Sequence, residues 1–276
     1  MYRNFKVVAI TCFGRTRYTD LLTAYTRSCP LIDRHELWIN TENPEDLASA
    51  DRYCADLPDF FRKIISPASY RDHSSHGRLA TFYKDFTASP NTLFIRLDDD
   101  IVWMAKDSIK RLLDFRIDNP HFFLVYANTL NNSLCTHLHQ RFGAIPPEPS
   151  MEYSCDGDHS WKQWETAATV HSKFFETRDK DPSLRNFLFP DWLLLDFERC
   201  SINCMSWFGA DNDLMREFMG ADEEQSLSVD IPRRLGRPNC IVGQSLVAHF
   251  AYFTQREELE SNTEWLRHYQ RIAPYL

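Results

Sequence analysis

No apolar run in this sequence reaches the ~18 residues that a membrane-crossing helix requires. The apolar start, Lys6-Val7-Val8-Ala9-Ile10, is also too short for a secretory leader and carries no small-residue cleavage site. It is read as the first β-strand of a cytoplasmic protein. A surplus of positive charge is missing: the formal net charge is −8, which argues against a general nucleic-acid binder. A phosphate-bearing small ligand stays open, because a few local arginines or a bound cation can offset a global negative charge. Glycine is scarce, with eight in 276 residues, and the first turn, Cys12-Phe13-Gly14-Arg15, is no glycine-rich loop. No stretch is both polar and highly charged, so disorder is not expected. The eight cysteines are scattered, and without an export signal they are read as buried thiols rather than disulfides. Cys200 and Cys204 form the one close pair, but no second Cys or His pair at matching spacing completes a zinc site. His137 and His139 likewise lack a third ligand for a zinc hydrolase.

What is present supports a sizeable core: 43% of residues are hydrophobic and 14% aromatic. The first half alternates strand-like and helix-like patterns. Residues 6–12, 35–40, 63–65 and 93–97 read as strands, and 18–28 and 78–88 as helices, with a further helix start at Asn43-Pro44-Glu45-Asp46. Such alternation indicates an α/β fold with a mostly parallel sheet covered by helices. The second half is less regular. A helix is expected over 105–117, a strand over 122–127, a long loop over 143–160 and a helix over 161–175. A turn at Gly209 precedes another helix, a loop is expected over 231–238, and a strand pair around Gly243 over 240–253. No linker cuts the chain, so residues 1–276 are read as one domain.

Asp98-Asp99-Asp100 follows the apolar run Leu93-Phe94-Ile95-Arg96-Leu97 at once. Adjacent carboxylates repel unless a cation or hydrogen-bond donors compensate. In open α/β sheets, ligands bind at the carboxyl ends of strands. If strand geometry persists, Asp98 and Asp100 point one way and Asp99 the other. That leaves two acids for a hard divalent ion, magnesium or manganese, which keeps open positions for phosphate oxygens. A solvated turn with helix-capping acids is the plainer alternative.

This ordered pattern, ending in Leu97-Asp98-Asp99-Asp100-Ile101-Val102, resembles the GT-A class of glycosyltransferases with their DxD motif. Two later features add to the resemblance. Ala221-Asp222-Glu223-Glu224-Gln225-Ser226-Leu227 resembles the acidic motif that opens a helix in inverting members, which places the base on Glu224, with Glu223 and Asp222 as alternatives; helix-start acids are the ordinary reading of the same residues. His249, in Leu246-Val247-Ala248-His249-Phe250, matches the late histidine that the class often places on the metal.

The resemblance implies a GT-A-like, Rossmann-like domain, with residues to about 105 serving the nucleotide sugar and about 106–276 the acceptor. It implies a metal site of Asp100, Asp98 and His249 holding Mn2+ or Mg2+. Donor contacts fall on Thr11, Arg15, Asn40, Arg78, Asp98 and Asp99, with the basic segment Pro232–Pro238 as a candidate diphosphate clamp. The implied reaction moves a sugar from a nucleoside diphosphate sugar to a hydroxyl on a glycan or other acceptor, with inversion. Trp161, Trp164, Trp192 and Trp207 are candidates for sugar stacking or for core. The rivals are a sugar-nucleotide nucleotidyltransferase, which would share the sheet and acids but usually carries a glycine-rich basic loop after the first strand, and a non-catalytic nucleotide-sugar-binding module.

Overall fold

Alternating apolar residues on the first strand divide between two faces of a sheet. Val8 and Ile10 enter one core, and Val7 and Ala9 enter the other. The computed structural model describes residues 1–65, 81–216 and 222–274. Its strands are β1 (Lys6–Phe13), β2 (Arg34–Ile39), β3 (Phe61–Ile64), β4 (Thr92–Leu97), β5 (Ile101–Met104), β6 (Val125–Leu130), β7 (Trp192–Leu194), β8 (Cys204–Phe208) and β9 (Asn239–His249). The main helices are α1 (Thr16–Ser28), α2 (Pro44–Asp56), α3 (Ser108–Asp118), α4 (Ser133–Arg141), α5 (Trp164–Lys180), α6 (Arg256–Asn262) and α7 (Trp265–Ile272).

The strands form one sheet in the order β3-β2-β1-β4-β8-β6-β9-β5, with β7 also paired to β9. β1 runs parallel to β2 and β4, and β6 parallel to β9, while β8 lies antiparallel between β4 and β6. The result is an α/β fold with a mixed, mostly parallel central sheet flanked by helices. None of the described helices is long and apolar enough to cross a membrane.

The direction of the strands decides what meets at the site. The carboxyl ends of β1, β2, β4, β6 and β9 and the amino ends of β8 and β5 share one edge. The chain winds outward from β1 to β2 and β3, then returns to place β4 on the other side of β1. The gap above β1 and β4 is therefore the switch point at which ligands bind in open sheets.

Two of the segments that differ from the sequence expectation bear on the site's surroundings. Residues 231–238 are not a loop throughout, because Ile231–Leu235 is helical with Pro232 in its first turn, where a missing N–H costs nothing. Residues 240–253 do not form a strand pair around Gly243. β9 is one strand whose register against β6 shifts after Val242. Glycine is needed there for a close approach rather than for a turn, since a Cβ on Gly243 would lie 2.0 Å from the Phe189 carbonyl oxygen. Asn43 caps α2 as expected, accepting the Glu45 N–H at 2.9 Å. All eight cysteines are free, and Cys135, Cys155, Cys200, Cys204 and Cys240 are buried.

Candidate active site

The turn after β4 breaks the strand alternation that would have aligned Asp98 with Asp100. Asp98 turns to the Asn203 amide at 3.0 Å and Arg96 at 3.2 Å. Asp99 takes both arms of Arg15. Asp100, 2% exposed, lies 2.9 Å from Arg256, 3.4 Å from Arg15 and 3.4 Å from His249 Nε2. Each acid is thus matched to a guanidinium. Burial raises the Asp99 carboxyl to about 6 even against Arg15. Burial also works to raise Asp100, but Arg15, His249 and Arg256 together hold it well below the usual carboxylate range.

Arg15 and Arg256 stand at the mouth, with side chains 31% and 20% exposed. Arg15 occupies the left-handed region at φ 51°, immediately before α1. Asn131, just after β6, does the same at φ 55°. Non-glycine residues held there store local strain, and such positions gather at functional sites. The Asn131 side-chain amide donates to the Phe250 carbonyl and to Gln255, while its backbone carbonyl accepts the His249 Nδ1–H at 3.0 Å. That bond leaves Nε2 as the nitrogen facing Asp100 Oδ1.

Asp100 and His249 suit neighbouring positions on a divalent cation: one is a carboxylate, the other an imidazole whose far nitrogen is fixed by a carbonyl, and their 3.4 Å separation is long for a hydrogen bond. Asp98 does not join them. Among the described residues, no three His, Cys, Asp or Glu side chains form a cluster that could hold a metal. A cation here would complete its shell with phosphate oxygens and water.

The three acids of the downstream motif have separate duties. Asp222 caps the helical turn Glu223–Gln225, accepting the Gln225 N–H at 2.9 Å, which is the ordinary helix-start role. Glu223 is buried, accepting the Tyr83 hydroxyl at 2.6 Å and pairing with Arg96 at 3.2 Å. Burial sets Glu223 apart from the other two, whereas Asp222, 44% exposed, also pairs with Arg199 at 3.0 Å. Glu224 keeps a side chain 22% exposed. Its Oε1 accepts from Arg199 at 2.9 Å and from the Cys155 thiol at 2.7 Å. Cys155 lies 3.1 Å from the Ser201 hydroxyl, which takes the Tyr252 hydroxyl at 3.1 Å. The Tyr252 ring packs on His249 with centroids 4.9 Å apart. Polar contacts therefore run from Glu224 to the Tyr252 hydroxyl, and ring packing completes the link to His249 on the Asp100 side.

The other expected contacts are placed as follows. Thr11 is buried, with its hydroxyl bonded to His35 at 2.8 Å, so it cannot meet a donor. Asn40 ends β2, its N–H bonded to the Phe13 carbonyl at 3.0 Å. Arg78 lies outside the described residues. Within the candidate clamp Pro232–Pro238, Arg237 is fixed to Asp211 by two 2.9 Å bonds. His139 is buried and bonded to Asn128, while His137 meets the Met151 carbonyl, so the two do not converge on a zinc ion. Trp207 belongs to the core; Trp161 instead packs on Phe253, which is 71% exposed, three residues before Arg256.

The α1 N-terminus is closed. Asp46 accepts the backbone N–H groups of Arg15 at 3.0 Å and Thr16 at 2.8 Å, and also the Thr16 hydroxyl. A helix start of this kind would otherwise attract phosphate.

The sequence matches no protein-family model and no curated protein. Solved structures resemble it. One is a CMP:2-keto-3-deoxy-manno-octonic acid synthetase complexed with CTP, at TM-score 0.48 and 10% identity over 97% of this chain and 100% of that one. A second is a 4-diphosphocytidyl-2C-methyl-D-erythritol synthase, at 0.46 and 8% over 95% and 97%. A third is a mannose-1-phosphate geranyltransferase from Thermus thermophilus, at 0.40 and 11% over 89% and 74%. The likeness is one of fold alone. None of the three carries the name of a glycosyltransferase.

Arg96, Arg199, Arg256, Asn131, Asn132 and Asn203 went unread in the sequence. Asn131-Asn132-Ser133 carried a usable signal: polar residues directly after an apolar strand, with Asn132 capping α4 through the Cys135 N–H at 3.2 Å. Arg256 carried none, since its role arises only where β9 brings its loop over Asp100.

Proposed function

We propose that the protein is a transferase acting on a nucleotide-activated sugar, moving the sugar to a hydroxyl acceptor. The observation that carries this reading is the convergence of Asp100, His249, Arg15 and Arg256 at the switch point, linked through Tyr252, Ser201 and Cys155 to the partly exposed Glu224. The crevice then has a phosphate side and an acceptor side. Arg15 and Arg256 face charge that develops on the leaving phosphate. Asp100 and His249 would hold Mn2+ or Mg2+, which supplies Lewis-acid neutralisation of that charge. Glu224 takes the acceptor proton, and one base on the acceptor side gives inversion. In this reading residues 1–276 act as one domain, and the donor side draws on His249 and Arg256 as well as on the first 105 residues.

Nucleotidyl transfer is the second reading. Arg15, in the turn after β1, keeps it in view, because a cation there suits the phosphates of a nucleoside triphosphate. Against it, Asp46 occupies the helix N-terminus beside that turn. The deciding experiment supplies nucleoside diphosphate sugars with mixed glycan acceptors in one arm. The other arm supplies nucleoside triphosphates with sugar phosphates, and product is followed by mass spectrometry. Glycosylated acceptor that disappears in Asp100→Asn supports the first reading; pyrophosphate release only in the triphosphate arm replaces it with the second.

A further inference from the structure

Every acid of the triplet already has an internal cation. Asp98 has Arg96, Asp99 has Arg15, and Asp100 has Arg256, with Arg15 also near. The carboxylates are thus neutralised before any ligand arrives, and so are the guanidiniums. A cation approaching alone must displace an arginine from Asp100. A phosphate approaching alone must take an arginine from its carboxylate.

Arg256 is the partner able to change sides. It reaches Asp100 through one nitrogen at 2.9 Å and shares that nitrogen with the Ala251 carbonyl at 3.1 Å. Its Nε is buried without a hydrogen-bond partner. It also stands at the mouth, whereas Arg96 is buried between Asp98 and Glu223. Arg96 also has idle donors but is enclosed, and Arg15 holds Asp99 as a fork, so the partly exposed, single-point hold of Arg256 is the weakest link in the set.

Resting on the phosphate-side reading above, we infer that Arg256 is an exchangeable counter-ion. It occupies Asp100 in the free protein and moves to the phosphate when a divalent cation and a diphosphate bind together. The two ligands then help each other through one side chain. This coupling is reciprocal by thermodynamic necessity and typically amounts to about 5- to 150-fold in affinity.

The test uses Mn2+ and inorganic pyrophosphate as probes. Free Mn2+ is followed by electron paramagnetic resonance with wild type, Arg256→Gln, Arg256→Lys and Asp100→Asn, and the Mn2+–pyrophosphate association in solution is subtracted. Thermal unfolding establishes that each variant is folded. The expected result is that Arg256→Gln binds Mn2+ alone more tightly than wild type, by about tenfold, and gains much less from pyrophosphate. Arg256→Lys should lie between them, and Asp100→Asn should bind no Mn2+ at this site. Equal or weaker Mn2+ binding by Arg256→Gln overturns the exchange while leaving the transferase reading intact. Absence of both Mn2+ and pyrophosphate binding to wild type, separately and together, overturns the phosphate-side reading itself.

Discussion

Glu224 is held through one oxygen by Arg199 and by the Cys155 thiol. The Arg199 guanidinium and the Cys155 thiol both donate to it, and the thiol keeps its proton: burial pushes the Cys155 pKa up, with Glu224 adding to the shift. Replacing Glu224 with Gln keeps the size and the Arg199 contact but removes the proton acceptor. The expected outcome is a fall in kcat of about 10²- to 10⁴-fold, the range for general-base catalysis. Dissociation of a nucleoside diphosphate, measured by calorimetry, should not change. A matching loss of nucleotide affinity would place Glu224 on the phosphate side instead. At this scale the sequence was partly legible. The acidic triplet does lie at the edge where the carboxyl ends of β1 and β4 meet, whereas nothing local told apart the cap at Asp222, the buried Arg96 pair of Glu223 and the Arg199 pair of Glu224. Three neighbouring acids look alike until the turn that carries them is folded.

Among the elements, β9 shows most clearly where sequence reasoning and structure part. A glycine between apolar runs ordinarily marks a turn, and Gly243 was read so. Its function is to let the Phe189 backbone pass, with the Gly243 N–H donating to Asp191 at 3.0 Å. Gly243→Ala should therefore cost more than the loss of glycine flexibility would suggest. Packing a group into space already filled by backbone costs about 1 to 3 kcal/mol, and more where nothing can yield. Urea denaturation followed by circular dichroism should show a lower midpoint; an unchanged midpoint would mean that the strand shifts freely at this position. The strands β1, β2 and β4 were readable because each is an apolar run with turn residues at its end. β5 and β8 were not, because β5 merges with the acidic motif and β8 is only Cys204–Phe208. Their places are set by pairing with β9 and β4, which no local pattern encodes.

Across the whole molecule, His171 on α5 joins the sheet to the C-terminal helix. Its ring donates from Nε2 to the Phe250 carbonyl at 2.8 Å and accepts the Tyr269 hydroxyl at Nδ1, also at 2.8 Å. Burial depresses its pKa to about 4. In the unfolded chain it would titrate near ~6.5. The unfolded state therefore binds the proton first as pH falls, so the contribution of neutral His171 is complete above about 6.5 and is lost toward pH 4. Asp99, Glu223 and His249, whose pKa values are raised, respond in the opposite sense, so the difference between proteins is the informative quantity. The stability gap between wild type and His171→Gln should be widest at pH 7.5 and shrink by pH 5 in chemical denaturation; a constant gap would show that His171 titrates alike in the folded and the unfolded chain. A different kind of consequence follows from the buried pair of Arg96 and Glu223. Arg96 belongs to the strand that delivers the acidic triplet, and Glu223 precedes Glu224, the base in the proposed reading. Surfaces joined by apolar contact alone can slide with little penalty, but a slip here would strand a charge in the interior. If Glu224 is the base, the spacing between it and the phosphate side is therefore set like the jaw width of a fixed gauge, to which an acceptor must fit.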